Sequence, residues 1–262
     1  MLVRIARFTT GDDPRFALVQ QEGDKTFLAV LGGDPLYMPA MPTGERIELG
    51  DGVRLLAPVI PRSKVVAVGR NYAAHAAEFG NDVPTSPMLF LKPNTSVVGP
   101  DDPIVLPDWT IEVGYEAELA VVIGKVCKDV SPQNAMAYVL GYTCANDVSA
   151  RDAQKTDGQW GRAKGFDTSC PLGPWIDTDV NPEDVGVVSR LNGETKQDGR
   201  TRDLVFDVPF LVSFVSEAMT LLPGDVILTG TPAGVGLMDA GDRVEVEIEG
   251  LGVLSNPVVR RA

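Results

Sequence analysis

Apolar residues in this chain fall mostly in short alternating or continuous runs, and stretches with a period near 3.6 are few, so strands should outnumber helices. In the first sixty residues, Val3 to Phe8, Phe16 to Gln20, Thr26 to Leu31 and Arg54 to Leu56 read as short strands between Gly, Asp and Pro clusters. The segment Ala57-Pro58-Val59-Ile60-Pro61-Arg62 interrupts this pattern, and Lys64 to Gly69 then carries the continuous apolar run of a buried strand. The chain is therefore expected to divide into a small β-rich N-terminal domain, residues 1–62, and a larger domain, residues 63–262. Further strands are predicted at Met88 to Lys92, Tyr115 to Gly124, Gly141 to Asn146, Val187 to Leu191, Val226 to Thr229 and Arg243 to Ile248. Helices are predicted at Tyr72 to Phe79, at Ser131 to Tyr138 with Ser131 as N-cap and Pro132 in the first turn, and at Val208 to Leu221. The fold class is α+β with β in excess.

Composition adds limits. With 262 residues, 44% of them hydrophobic, the chain can bury a full core without covalent staples. Its three cysteines, Cys127, Cys144 and Cys170, fit neither a disulfide framework nor paired metal knuckles, which suits a reducing compartment. Arginines at positions 4 and 7 interrupt the apolar stretch that a signal peptide needs, and no apolar run is long enough for a membrane span, so a soluble, cytoplasmic protein is expected. Lys and Arg number 23 against 36 Asp and Glu, a formal charge of −13. That balance argues against nucleic acid and membrane surfaces as partners and leaves small molecules or other proteins. A single histidine, His75, rules out a zinc site with several imidazoles from one chain and makes His75 the one residue for histidine acid/base chemistry.

Carboxylates supply the first candidate chemistry. A strand period of two puts Glu116 and Glu118 on one face, with Ala120 and Val122 continuing it, so two acids head an apolar face. A solvated strand end would explain them too. Asp147 follows the mostly apolar run ending at Asn146, and if it meets the glutamates, carboxylates about 4 Å apart repel by roughly 4 kcal/mol per pair at an effective dielectric of about 20. Such a cluster must bind a cation or take up protons. Three oxygen donors without cysteine or a second histidine point to Mg²⁺ or Mn²⁺ rather than zinc.

Two other stretches carry simpler explanations beside the chemical ones. Helical spacing places His75 and Glu78 on one face among alanines, where they could form a general-base pair or an ordinary surface pair. Trp160 to Thr168 reads as a loop with Lys164 in solvent, and Thr229 to Gly236 offers backbone amides to an anion but lacks nucleotide-loop spacing.

Eight segments in one order nevertheless resemble the fumarylacetoacetate hydrolase superfamily. They are GRNYxxHxxE at 69–78, LFLKP at 89–93, YExEL at 115–119, NDVSARDxQ at 146–154, KGFDT at 164–168, PLGPW at 171–175, PGDVILTGTPAGVG at 223–236 and GDxVEVEIEGLG at 241–252. The resemblance implies a mixed β-roll catalytic domain, a homodimer, and a small N-terminal domain such as 1–62. It implies Glu116, Glu118 and Asp147 as metal ligands, and His75 with Glu78 as a proton-handling dyad on a lid helix. Lys164 matches the active-site lysine, whereas Arg70, Arg151, Gln154 and Thr231 match substrate-binding positions. Lys196 to Arg202 departs from relatives in carrying two arginines, which bears on substrate identity.

The expected function is that of a Mg²⁺- or Mn²⁺-dependent enzyme acting on a 2-oxo acid or β-dicarbonyl carboxylate through an enolate. C–C hydrolysis or decarboxylation of the acylpyruvate or oxaloacetate type comes first, and 2-hydroxyhepta-2,4-diene-1,7-dioate isomerisation or decarboxylation second. A protein that binds a metal and a dicarboxylate without turnover is the alternative from another class.

Overall fold

A computed structural model describes residues 3–78 and 80–260. Strands dominate as the apolar pattern predicts, arranged among the described residues as one large mixed sheet of twelve strands and smaller sheets of five and three. The strand Ala117–Ile123 lies inside the large sheet and every residue of it is buried. Its alternate side chains enter two cores. Leu119, Val121 and Ile123 pack with Leu211, Val212 and Val215 of the helix Val208–Ala218, whereas Ala120 and Val122 face Val65, Ala67, Val226 and Leu228.

Pairing around that strand decides where the chemistry collects. Val139–Asn146 runs antiparallel to it on one side, with Ala117 opposite Asn146 and Glu118 opposite Ala145. Val226–Leu228 runs antiparallel on the other side and pairs in parallel with Val65–Gly69. Consequently the start of Ala117–Ile123 and the ends of the three neighbouring strands emerge at one edge of the sheet. Met88–Lys92 adds to Val65–Gly69, with Met88 beside Gly69 at the same edge.

The early strands Arg4–Thr9, Arg15–Glu22, Lys25–Leu31 and Pro42–Glu48 extend the large sheet, because Arg4 and Ile5 pair with Asp177 and Ile176 of Cys170–Asp177. A buried carboxylate ties the connecting segment to the body of the protein: Asp225 accepts from the Ser63 and Lys64 amides and from the Lys64 ammonium. All three cysteines are buried thiols, and burial pushes Cys144 and Cys170 up to about 12.

Helices are shorter than their sequence patterns suggest. The segment from Tyr72 forms a helix over Ala73–Glu78, and the predicted end at Phe79 lies outside the described residues. Ser131 stands at the N-cap with extended backbone but makes no side-chain cap bond, and Pro132–Ala135 gives way to a 3₁₀ turn at Met136–Tyr138. Val208–Ala218 is capped by Asp207, whose side chain accepts from the Phe210 amide, and stops before Leu221, which pairs with Cys127 instead. Arg151–Thr156 and Gly161–Lys164 are helices that the pattern does not reveal, each too short to show a period. No described helix is long and apolar enough to cross a membrane.

Since Leu119 is fully buried between strands and helix, Leu119→Ala should lower unfolding free energy by about 2–5 kcal/mol. Urea denaturation measures this directly, and a loss below about 1 kcal/mol would contradict the packing described.

Candidate active site

Directly opposed residues on paired strands share a face, as do residues two apart on one strand. Glu116 precedes Ala117 and Asp147 follows Asn146, so register sets these two acids opposite each other, and Glu118 joins them two residues along. Their backbones are tied, with the Asp147 amide donating 2.9 Å to the Glu116 carbonyl. One oxygen from each carboxylate lies within 4.8 Å of the others, and all three residues are buried.

Cations and amides compensate this charge unevenly. Lys164 Nζ bridges Glu116 at 2.6 Å and Asp147 at 2.8 Å. Arg151 is 2.6 Å from the other oxygen of Glu116, and Lys92 Nζ is 2.6 Å from the other oxygen of Asp147. Glu118 instead accepts at 2.6 Å from the Gly230 amide. Burial tends to raise the Glu116 carboxyl, but Lys164, Arg151 and His75 together hold it far below the usual range. Burial and then the charges of Asp147 and Glu116 push Glu118 well above that range. The cluster thus needs positive charge most at Glu118.

A hard divalent cation meets that need. The donor set is all carboxylate oxygen, buried and convergent, which suits Mg²⁺ or Mn²⁺ and disfavours metals that seek sulfur or imidazole.

His75 is buried at the rim of the same cavity, its Nδ1 3.4 Å from Glu78. Burial lowers its pKa, and this outweighs the pull of Glu116 and Glu78, so the imidazole is neutral near pH 7. Glu78 also accepts from the Gly234 amide at 3.2 Å, joining the helix Ala73–Glu78 to the glycine-rich turn. That turn directs its amides at two carboxylates, the Gly230 amide at Glu118 and the Gly234 amide at Glu78. Gly230 has φ 104, and a Cβ there would lie 2.7 Å from Asn71 Cβ, so only glycine fits.

Arg70, Arg151, Gln154, Lys164 and Thr231, also singled out in the sequence, line this cavity of about 380 Å³. Gln154 accepts from Arg151 at 3.1 Å, and Thr231 donates to the Ala117 carbonyl at 2.8 Å. The simple reading of Lys164 as a solvated loop residue is overturned: it is 2% exposed and ends the helix Gly161–Lys164. The arginines at 200 and 202 do not reach the cavity. Residues 194–200 form a strand paired with Gly186–Leu191, and on the surface Arg200 and Arg202 pair with Asp184. Gln197 from that strand is the residue that turns inward, where it binds the Ala117 amide and Thr231.

Residues 64–259 match the family model of the fumarylacetoacetate hydrolase C-terminal region, and residues 3–58 match an Rv2993c-like N-terminal model. The chain belongs to the fumarylacetoacetate hydrolase family. It is 49% identical to 5-carboxymethyl-2-hydroxymuconate delta-isomerase from Mycobacterium smegmatis, with a TM-score of 0.91 over 98% of this chain and 100% of that one. It is 43% identical to human mitochondrial oxaloacetate tautomerase FAHD2A across 91% of this chain and 78% of the relative. A fumarylpyruvate hydrolase from Pseudomonas aeruginosa, solved with Mn²⁺ and pyruvate, is 35% identical with a TM-score of 0.73, over 78% of this chain and 98% of that one. This is a family of enzymes, and the β-roll fold with its N-terminal annex is the one these residues adopt.

Lys92 is the residue that sequence reasoning missed. It is wholly buried, its ammonium holds Asp147, and it also bonds the Lys164 carbonyl. The signal was a lysine inside the apolar run LFLKP, since buried lysines are almost always paired. Lys92→Met should weaken Mn²⁺ binding by about 10- to 100-fold in calorimetry, as expected for a residue that orients a ligand. Unchanged affinity in a folded variant would show that Asp147 holds its place without this bond.

Proposed function

We propose that this enzyme uses Mg²⁺ or Mn²⁺ to move a proton at the carbon beside the carbonyl of a 2-oxo acid, with a 2-oxo dicarboxylate as substrate. The observation that carries this reading is the meeting, in one cavity, of three convergent buried carboxylates, a buried ammonium and the chain's single imidazole.

Glu116, Glu118 and Asp147 would hold the cation. When bound, it supplies Lewis-acid polarisation of the carboxylate and carbonyl oxygens of the substrate. Lys164, itself buried, places a second positive group beside the developing oxyanion, where a fixed charge acts strongly. Arg151 and Gln154 fix the acid end of the substrate. His75 turns Nδ1 to Glu78, so Nε2 is the nitrogen that exchanges a proton with substrate carbon, and Glu78 stabilises the imidazolium this creates. Such a base contributes typically about 10²- to 10⁴-fold.

Proton transfer of this kind is the whole of a tautomerase or isomerase reaction, which the names of the human and mycobacterial relatives favour. C–C hydrolysis or decarboxylation, placed first from sequence alone, is the second reading. In it the C–C bond of the keto form breaks, after water adds to the distal carbonyl in hydrolysis or with loss of CO₂ in decarboxylation, and the remaining 2-oxo acid leaves as an enolate that is protonated on carbon; the fumarylpyruvate hydrolase neighbour favours it.

Assays with oxaloacetate, acylpyruvates and 2-hydroxyhepta-2,4-diene-1,7-dioate in Mn²⁺ test the proposal. Keto–enol exchange or isomerisation should be seen with at least one diacid, should vanish on chelation and should return with Mn²⁺; full activity in verified metal-free enzyme would sink it. His75→Ala should keep Mn²⁺ affinity within about threefold while losing about 10²-fold or more in kcat. Normal turnover by that variant would remove His75 from the mechanism.

A further inference from the structure

A side chain behind the cavity joins the two parts of the site. Asn71 follows Arg70, whose backbone at φ 58 turns the chain sharply out of the strand Val65–Gly69, and it precedes the helix Ala73–Glu78 that carries His75. It is fully buried, yet it is not one of the residues lining the cavity. Its amide uses both of its donors. Nδ2 donates to the Phe206 carbonyl at 2.9 Å and to the Thr229 carbonyl at 2.8 Å, while Oδ1 accepts from the Phe206 amide at 2.9 Å. Reversing the side chain would set Nδ2 against the Phe206 N–H and Oδ1 against two carbonyls, so its partners fix its orientation.

The bond to Thr229 reaches Glu118 through a single peptide. The Thr229 carbonyl and the Gly230 N–H belong to one planar unit and point in opposite directions across it. On the far side that N–H donates to Glu118 at 2.6 Å. Asn71, the peptide and Glu118 thus form one chain of hydrogen bonds, in which each bond polarises the next. Planarity adds a geometric link, because a peptide whose carbonyl is held cannot turn its N–H away from the carboxylate. Thr229 commits its own amide and hydroxyl to the Leu119 carbonyl, and its carbonyl goes to Asn71. The start of the helix is fastened at the same place: the Asn71 carbonyl accepts from the Val205 amide at 2.8 Å, and Tyr72 bridges to Leu204.

We propose that Asn71 is a positioning residue that orients Glu118 for the divalent cation through the Thr229–Gly230 peptide and, from the same point, sets the helix of His75 in register with the metal site. This rests on the metal-dependent reading above and extends it to the residue that fixes the relation between ligand and base. Glu118 is where such a device matters most. Lysine and arginine side chains hold Glu116 and Asp147, whereas the Gly230 amide holds Glu118. A carboxylate held by a peptide takes its direction from whatever holds the peptide.

Two uncharged variants test this. Asn71→Ala removes the amide, and Asn71→Leu keeps the branched shape but replaces both polar atoms by methyl groups. In calorimetry each should bind Mn²⁺ about 10- to 100-fold more weakly than wild type, the loss typical of a group that orients a ligand. Ile248→Ala, a wholly buried change in the core around Leu211 and Val212, should keep the affinity within about threefold. Wild-type affinity in Asn71→Leu would mean that Asn71 only fills space, and that result, or unchanged affinity in folded Asn71→Ala, overturns the proposal. A Mg²⁺ titration of wild type followed by amide NMR needs no variant: the Asn71 side-chain and Gly230 backbone resonances should move together, and movement of Gly230 alone would equally overturn it. At Mn²⁺ concentrations that saturate each variant, kcat on a 2-oxo acid should stay at least about tenfold below wild type while KM changes less than about threefold, because the base has lost its anchor. Full recovery of kcat would overturn the link to His75. Wild type that binds Mn²⁺ but turns over no 2-oxo acid removes the proposed function and leaves the affinity comparison to decide the role of Asn71.

Discussion

Three carboxylates buried within 4.8 Å of one another are a charge arrangement that a protein interior tolerates only when it is compensated at each oxygen. Much of the surrounding structure supplies that compensation. Lys164 stands between two of the acids, Lys92 and Arg151 hold their outer oxygens, and the Gly230 amide reaches the third. Two of these cations are nearly or wholly inaccessible to solvent. Neither lysine could be buried without the acids, and the acids could not be buried together without the lysines. What remains unbalanced is Glu118, and a divalent cation held by the three acids would offset that imbalance.

Rigidity comes from the sheet. The acids are set by backbone register between Ala117–Ile123 and Val139–Asn146, both buried in the sheet interior, so their spacing does not depend on loop conformation. The groups proposed to handle protons and to place positive charge beside the substrate lie instead on short elements at the sheet edge. His75 and Glu78 ride on Ala73–Glu78, and Trp160 with Lys164 brackets a single helical turn. Glu78 belongs to both parts, because the same carboxylate faces the imidazole and accepts from the Gly234 amide. The same carboxylate therefore joins that helix to the glycine-rich turn and faces the imidazole proposed as base.

Much of this was legible in the residues. The alternation around Glu116 and Glu118 shows their shared face, and the single histidine three residues before Glu78 marks the residue proposed as base. The eight ordered motifs place the chain in its family. Less was legible at Lys164, because a lysine in a polar loop carries no local sign of burial, and at Lys92, where the apolar run LFLKP points to burial but not to the partner. The arginines at 200 and 202 show the opposite case. Their number suggested a role in substrate choice, yet Arg200 at the strand end and Arg202 in the 3₁₀ turn after it pair with Asp184 on the surface, and the strand sends Gln197 inward. A period of two assigns faces but does not say which face is buried.

By itself the sequence determined a strand-rich fold, the type of metal that three oxygen donors would prefer, and the single residue able to act as an imidazole base. These follow from composition and local periodicity, which the chain carries wherever it folds. Only the tertiary structure decided which acids meet, which lysines compensate them, and that Phe90, Trp160 and Arg70 line the same cavity. Those relations join residues far apart in the chain, as with the Lys92 to Asp147 and Gly230 to Glu118 bonds. Their geometry is set by strand register and sheet order, which short-range pattern does not encode.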